Sequence, residues 1–296
     1  MPEILISIII PTYNRANLLS QTLDSLISQE FKNIEILVID DGSTDNTAEI
    51  CLKYTAIHSQ LKYYKISNRE RGAARNYGAS IATGMYINFF DSDDHAYPNH
   101  CSIASDIISE QNPEVFALSY DIKNELGTII KSKVLKNDVS AFIASGNDLS
   151  CNGVLIRRDI ALKNPFSENR ALSASEDYEL WLRLSSQFKF TCYPKISHAV
   201  VHHPAQSTLN FNPLPLIERK MLMLKLAFQD KNVLAKYGSQ RKVMMCSAYT
   251  YIALHIALTG NKKLLALNYL LKGLFMYPPA IFSKRFLAVI KHLIIS

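Results

Sequence analysis

The residues best suited to chemistry stand in short polar clusters, each directly after an apolar run. Asp91-Ser92-Asp93-Asp94 follows Met85–Phe90. Carboxylates this close repel one another unless a cation intervenes, and a hard divalent ion typically takes one or two carboxylates together with substrate phosphates. In an extended chain the D-x-D spacing turns Asp91 and Asp93 to one side, so the pair is expected to share one metal–diphosphate complex; a solvated acidic turn is the alternative. Asp40-Asp41-Gly42-Ser43-Thr44-Asp45 follows Ile34–Ile39. Ser43, Thr44 and Asp45 suit a tight turn and a helix cap. The adjacent carboxylates of Asp40 and Asp41, however, are costly as turn chemistry alone. The expected role, for Asp41 above all, is to accept a hydrogen bond from a ligand N–H such as a pyrimidine imide. A carboxylate also accepts from guanine, so uridine is preferred without being required. Arg71 and Arg75 are spaced to share one face of a helix beginning near Gly72. Guanidinium groups beside a helix N-terminus suit an anion, the alternative being ordinary surface arginines.

The elements that must position these clusters alternate along the first part of the chain. Ile4–Ile10, Ile34–Ile39, Leu61–Ile66, Met85–Phe90 and Val115–Tyr120 are apolar or β-branched runs of strand length. Between them the spacing predicts helices through Leu18–Ile27, Thr47–Tyr54, Ala73–Ala82 and His100–Gln111. Strands alternating with helices imply βαβ units and a mainly parallel sheet flanked by helices, with ligands at the carboxyl ends of the strands. Residues 121–170 read as a less regular excursion, a hairpin with a strand at Gly153–Arg157, and Ser175–Ser186 as a helix. After the first strand stands Pro11-Thr12-Tyr13-Asn14-Arg15, without glycine, which excludes the dinucleotide fingerprint and the P-loop at their usual place.

Composition bounds the rest. The 296 residues are 48% hydrophobic and 20% charged, an ordinary globular balance. Five scattered cysteines without a C-x-x-C pair argue against a zinc site and for a reducing compartment. The apolar run at the N-terminus stops at Pro11 with no charged flank or cleavage site, so it reads as a strand and not a signal peptide. Net charge is unevenly spread: residues 1–212 carry −5 and residues 213–296 carry +11. A domain division at 1–212 and 213–296 is therefore expected. The positive charge sits on an apolar helical tail and not among base-stacking aromatics, which points away from nucleic acid and towards an anionic membrane surface.

The ordered clusters Pro11-Thr12-Tyr13-Asn14, Asp40–Asp45, Arg71-Gly72-Ala73-Ala74-Arg75-Asn76 and Asp91–Asp94, with a later Glu176-Asp177 before Leu180-Trp181-Leu182-Arg183, resemble the signature of the family 2 glycosyltransferases over about residues 4–205. The resemblance implies a GT-A fold, a nucleotide-sugar donor, a divalent metal (Mg²⁺ or Mn²⁺) and inversion at the anomeric carbon. Carried over by position, the Pro11 backbone, the Tyr13 ring and the Asp41 carboxylate hold the nucleoside, and Arg75 approaches ribose or diphosphate. Asp91 and Asp93 form the D-x-D, with Asp93 the direct metal ligand. Asp177 is the catalytic base with Glu176 beside it, and His202, or its neighbour His203, reaches the metal. A first-turn acidic pair favoured by the helix dipole is the plain alternative for Glu176-Asp177. The chemistry is coherent: a metal and an arginine stabilise the departing diphosphate, leaving one general base to take the acceptor proton.

Beyond Pro213, Leu216–Gln229, Val243–Thr259 and Ile281–Ile295 read as helices, with Tyr277-Pro278-Pro279 as a break. Val243–Thr259 is short of a membrane span; surface attachment fits better, and a helical subdomain packed on the core is the alternative. The expectation is thus a cytoplasmic enzyme, peripheral on the inner face of the membrane, acting on a glycan or polyprenyl-linked acceptor. A sugar-nucleotide nucleotidyltransferase and a non-catalytic nucleotide-sugar-binding module are the competing readings. A glycoside hydrolase, which needs no nucleotide, explains none of the donor features.

Overall fold

The computed structural model describes residues 5–203 and 213–295, so Ile4 and Pro204 lie outside the described residues. Its elements run β1 (Ile6–Thr12), α1 (Ala16–Ile27), β2 (Ile34–Asp40), α2 (Thr47–Ile57), β3 (Leu61–Lys65), α3 (Arg71–Ile81) and β4 (Tyr86–Phe89). There follow β5 (His95–Ala96), α4 (His100–Gln111), β6 (Val115–Asn124), β7 (Ile129–Lys133), β8 (Val154–Arg157), α5 (Arg158–Lys163), α6 (Glu176–Gln187) and β9 (Phe190–His202). The chain ends in helices α7 (Pro213–Ala227), α8 (Lys231–Tyr237), α9 (Arg241–Leu258), α10 (Lys263–Met276) and α11 (Lys284–Ile295). The α/β reading with a helical C-terminal extension is what the structure shows.

In space the chain groups into two compact units. The first comprises Met1–Val139, Asp148–Arg170 and Phe188–Pro204; the second joins Ser140–Asn147 and Ala171–Gln187 to Ala205–Ser296. The first unit holds a nine-stranded sheet, among the described residues, in the order β3-β2-β1-β4-β8-β6-β9-β5 with β7 beside β6. β3, β2, β1 and β4 are mutually parallel, β6 and β9 are parallel, and β8, β5 and β7 add antiparallel partners. Every residue of β1 and β2 is buried, as a strand flanked on both faces requires. Alternation divides β1 between two helical layers: Ile6, Ile8 and Ile10 enter a core with Leu19, Leu23 and Leu26 of α1 and Ala104, Ile107 and Ile108 of α4. Ile9 points to the other face, against α3, and approaches Gly78 so closely that a Cβ there would overlap its side chain. Truncating an isoleucine of this core to alanine costs about 2–5 kcal/mol.

The chain passes from β1 to β2 and β3 on one side, then returns to β4 on the other side of β1. The carboxyl ends of β1 and β4 therefore flank a topological switch point, where open α/β sheets bind ligands. The loops there are knit by side chains. Asp45 caps two helices with one carboxylate: Oδ1 accepts from Thr47 N at 3.0 Å and Oδ2 from Ala16 N at 3.1 Å. Asn14, in the left-handed region at φ 51°, accepts the Thr44 N–H at 2.8 Å and donates its own N–H to Ser43 Oγ at 2.9 Å.

The second unit is helical. α9 lies at its centre, and Ile252, Ala253 and Ile256 pack with Leu216 of α7, Ala266 and Leu270 of α10 and Val289 of α11. α6 buries Trp181 and is fastened to α8 by Tyr237, whose hydroxyl lies 2.9 Å from Ser185 Oγ. Among the described residues no helix is long and apolar enough to cross a membrane.

Candidate active site

The loop after β4 carries the acidic cluster, and its geometry differs from the extended pair expected. Residues 91–94 form a turn, with Asp94 N 3.4 Å from Asp91 O. Asp91 and Asp93 consequently have different partners. Asp91 Oδ1 is held at 2.7 Å by the guanidinium of Arg75. Arg75 is buried, with Cζ 5.0 Å from the Phe166 ring centroid. Asp93 Oδ2 lies 3.0 Å from His203 Nε2 and 3.6 Å from a guanidinium nitrogen of Arg15. The histidine beside Asp93 is therefore His203. His202 ends β9 with its side chain exposed, because successive strand residues alternate between faces. Of the two histidines expected on the metal side, His202 or His203, the structure places His203 and not His202 beside Asp93.

Asp94 is the anchor of this arrangement, and its part was not legible as a separate role. It is fully buried, its Oδ1 accepts from Val201 N at 2.8 Å and its Oδ2 from Asn152 Nδ2 at 2.6 Å. Asn152 also accepts the Asp91 N–H at 2.7 Å. One buried amide thus ties the turn to β8, and Asp94 ties it to the end of β9, two residues before His203. Burial, then the charges of Asp93 and Asp91, hold the Asp94 carboxyl well above the usual carboxylate range; its two hydrogen bonds oppose the shift.

The carboxylates after β2 are saturated by local donors. Asp40 accepts from Ser43 N at 2.7 Å and from Tyr63 OH at 2.6 Å. Asp41 accepts the backbone N–H groups of Arg69 at 2.7 Å and Glu70 at 2.8 Å. Burial raises the Asp41 carboxyl above its ordinary value against these two bonds. The cost of placing two carboxylates side by side is thus offset by separate donors. Asp41 also fixes the 68–70 loop that leads into α3, where Glu70 adopts φ 76° and half-buried Arg71 opens the helix. Pro11 is buried in β1, whereas the Tyr13 ring beyond it is 48% exposed.

In the second unit, the first turn of α6 carries the acidic pair. Glu176 is buried and its Oε2 accepts from Ser175 N at 3.0 Å. Asp177 is half-buried; Oδ1 accepts from Tyr178 N at 2.7 Å and Oδ2 from Asn147 Nδ2 at 2.9 Å. Those bonds fix the carboxylate's plane. Lys220 of α7 reaches the same turn, with Nζ 3.2 Å from Ser175 Oγ. Burial lowers its pKa to about 8, while Asp177 and Glu176 oppose the shift. Lys220 has no local signal in the sequence beyond its charge, because its contacts join distant segments.

Among the described residues no three His, Cys, Asp or Glu side chains converge as a metal cage. The donor set that does form, the Asp93 carboxylate beside the His203 imidazole, fits a divalent ion that draws its remaining ligands from a diphosphate. Arg75, engaged with Asp91, and Arg15, beside Asp93, add positive charge suited to the same anion.

The chain is similar to known glycosyltransferases. The profile described as Glycosyl transferase family 2 matches residues 7–144. The UDP-Glc:alpha-D-GlcNAc-diphosphoundecaprenol beta-1,3-glucosyltransferase WfgD of Escherichia coli is 30% identical over 184 residues, covering 62% of this chain and 71% of that protein. The first curated relatives, from Rickettsia species, are 35% identical, and the chain spans 30% of their length. Among solved structures, S. aureus TarS 1–349 in complex with UDP-GlcNAc has a TM-score of 0.64 at 20% identity, over 95% of this chain and 91% of that one. The mannosyltransferase PcManGT from Pyrobaculum calidifontis, in complex with GDP-Man and Mn²⁺, has a TM-score of 0.60 at 16% identity, over 98% and 84%. The structural likeness is one of fold, the GT-A architecture with helices following it.

Proposed function

The chain belongs to glycosyl transferase family 2, and from that membership we propose that it transfers a sugar from a nucleotide diphosphate sugar, by preference a UDP-sugar, to a hydroxyl of a glycan or polyprenyl-linked acceptor, with inversion at the anomeric carbon. The observation that carries this reading is the loop after β4: Asp93 with His203 and Arg15, and Asp91 held on Arg75, at the switch point beside β1. Its charges suit a diphosphate with a divalent ion. The complexes of TarS with UDP-GlcNAc and of PcManGT with GDP-Man and Mn²⁺, and the diphosphoundecaprenol acceptor in the name of WfgD, support the choice of donor, ion and acceptor.

In this mechanism Tyr13, the Pro11 backbone and Asp41 border the nucleoside, with Asp40 shaping their loop. Arg75 and Arg71 face the diphosphate. Asp93 and His203 would hold the divalent ion, and Asp91 orients Arg75 for the diphosphate. When bound, Mg²⁺ or Mn²⁺ neutralises the charge that develops on the leaving diphosphate. The acceptor hydroxyl gives its proton to Asp177 as its oxygen bonds the anomeric carbon. Tyr178 N–H and Asn147 hold that carboxylate in place, and Glu176 braces the turn through Ser175. Residues 1–212 carry donor binding and catalysis in this reading. Residues 213–296 form the basic extension, whose exposed Phe275 and Phe282, 84% and 87% accessible, suit peripheral contact with an anionic bilayer.

A panel of nucleotide sugars screened for thermal stabilisation tests the reading. A UDP-sugar is expected to raise the melting temperature only when Mg²⁺ or Mn²⁺ is present, by mass action. Stabilisation by no nucleotide sugar under any metal condition, or release of pyrophosphate from a nucleoside triphosphate plus sugar phosphate, overturns it.

A further inference from the structure

Two cations of the second unit converge on one aromatic ring. Lys220 Nζ lies 4.5 Å from the Tyr251 ring centroid, and Arg285 Cζ lies 5.9 Å from the same centroid. Both side chains are half-buried. Their hydrogen bonds go to neutral oxygens: Lys220 to Ser175 Oγ at 3.2 Å, Arg285 to Ser247 O at 3.1 Å and Ser247 Oγ at 3.0 Å. Among the described residues neither makes an ion pair. Arg219, next to Lys220, adds a third positive charge that acts on it, and its own guanidinium donates to Ser173 O at 3.0 Å. His255 stacks on Tyr251 with ring centroids 4.1 Å apart. Burial, then the charges of Lys220, Arg219 and Arg285, lower its pKa to about 4, so it adds no further charge at neutral pH.

Three cations gathered in a partly desolvated cluster, opposed only by the more distant Asp177 and Glu176, raise the energy of the empty protein. An anion with several oxygens relieves that cost and gains charge-assisted hydrogen bonds. Arg285 also lies in the first turn of α11, whose exposed side, with the turn before it, carries apolar residues among lysines: Phe282 is 87% exposed, Leu287 60% and Ile294 76%, and Lys284 and Lys291 are exposed beside them. Half-buried charge beside exposed apolar side chains interspersed with lysines matches an amphiphile with a phosphorylated head.

We propose that Lys220 and Arg285, flanking Tyr251, bind the diphosphate of a polyprenyl-linked acceptor, with the lipid chain following the apolar side of α11. The assignment rests on the glycosyltransferase reading in one respect: Asp177, the acceptor-side base in that reading, acts electrostatically on Lys220. A diphosphate held here belongs to the acceptor and not to the nucleotide.

The test is calorimetric titration of the full chain, in EDTA, with farnesyl diphosphate, farnesol and inorganic pyrophosphate. The wild type and Asp93→Asn are expected to bind farnesyl diphosphate alike. Lys220→Gln and Arg285→Gln weaken it about tenfold or more, as loss of one charge-assisted bond to phosphate predicts, and Arg285→Lys recovers part of the loss. Equal affinity in Arg285→Gln and wild type, or loss in Asp93→Asn with retention in Arg285→Gln, overturns the site. Equal affinity for pyrophosphate and farnesyl diphosphate overturns the lipid assignment. Should the variants fail to fold, hydrogen exchange on the wild type decides: farnesyl diphosphate must protect peptides from α9 and α11, and protection confined to the loops after β1 and β4 sinks the proposal. None of these readouts needs sugar transfer. An absence of donor turnover therefore leaves the inference standing, and persistent transfer does not rescue it.

Discussion

The acidic loops of the first unit and the basic cluster of the second handle charge in opposite ways. Around the loops after β2 and β4, Asp40, Asp41 and Asp94 each accept two hydrogen bonds from neutral donors, and Asp91 is matched by a guanidinium. Those four carboxylates are structural braces as well as charges. In the second unit Lys220 and Arg285 find only hydroxyl and carbonyl oxygens and one aromatic face. Compensation inside the fold makes a group a positioner; a charge that hydrogen-bonds only neutral oxygens, with Asp177 and Glu176 acting on Lys220 from further off, has more to gain from a ligand. Within the first unit Asp93 stands apart, facing a histidine and a more distant arginine.

The comparison can be broken experimentally. The largest effect is expected from Asp177→Asn, which leaves donor affinity within about twofold but lowers kcat by roughly 10²–10⁴, the usual range for loss of a general base; undiminished transfer would remove Asp177 from the mechanism. Asp93→Ala is expected to abolish metal-dependent stabilisation by the donor and to slow transfer by about 10²–10³, the scale of a lost electrostatic contact to developing charge. A variant still stabilised by donor plus Mn²⁺ would put Asp93 among the braces.

Stability separates the two regions next. Asn152→Ala strips Asp94 and the Asp91 N–H of a buried partner and should cost about 1–3 kcal/mol in urea unfolding, whereas Lys220→Gln, which removes a poorly compensated charge, should cost nothing measurable. Equal losses would mean that the basic cluster is a brace too. The smallest effect concerns two histidines. His100, in the first unit, and His255, in the second, are both lowered to about 4, but His100 by burial alone, against its Ser197 contact, and His255 by burial together with three cations. Raising salt should lift the His255 value by a few tenths of a unit and leave His100 unmoved, because only a charge effect is screened; NMR titration of the ring protons reads this. In both cases the unfolded chain binds the proton near pH 6.5 and the folded chain resists it, so stability falls as the pH drops from 6.5 towards 4.

What the sequence made legible was local. The parallel strands, the four helices among them and the order of polar clusters follow from periodicity and from residue type, and α4 runs over the residues read for it. β9 was not legible because its run, FTCYPKISHAVVH, mixes proline, lysine and serine with its apolar residues. It is a strand because β6 lies parallel beside it with a register shift near Ser119, a partner that no window of sequence displays. The spacing does not mark α10 either: Leu264, Leu267 and Leu271 lie on its exposed side, and its buried face is Ala266, Leu270 and Gly273, of which two are too small to stand out as a hydrophobic stripe. Spacing alone favoured an extended D-x-D, but the Asn152 amide and the Asp94 carboxylate pull that segment into a turn. The neighbouring histidines could not be told apart until the pleat of β9 was known. Lys220 and Arg285 meet only through the packing of α7, α9 and α11.

The close seat of Gly78 on Ile9 reaches further than core packing. α3 is a stiff rod, and Arg75 stands one turn from that glycine, so the depth at which the helix rests on the sheet also sets how far the guanidinium extends towards Asp91. A single methyl group at position 78 is expected to act as a wedge under the rod and loosen nucleotide-sugar binding without altering any group that touches the ligand. In the proposed function, the grip on the donor would be gauged, in part, by a side chain that the core leaves out.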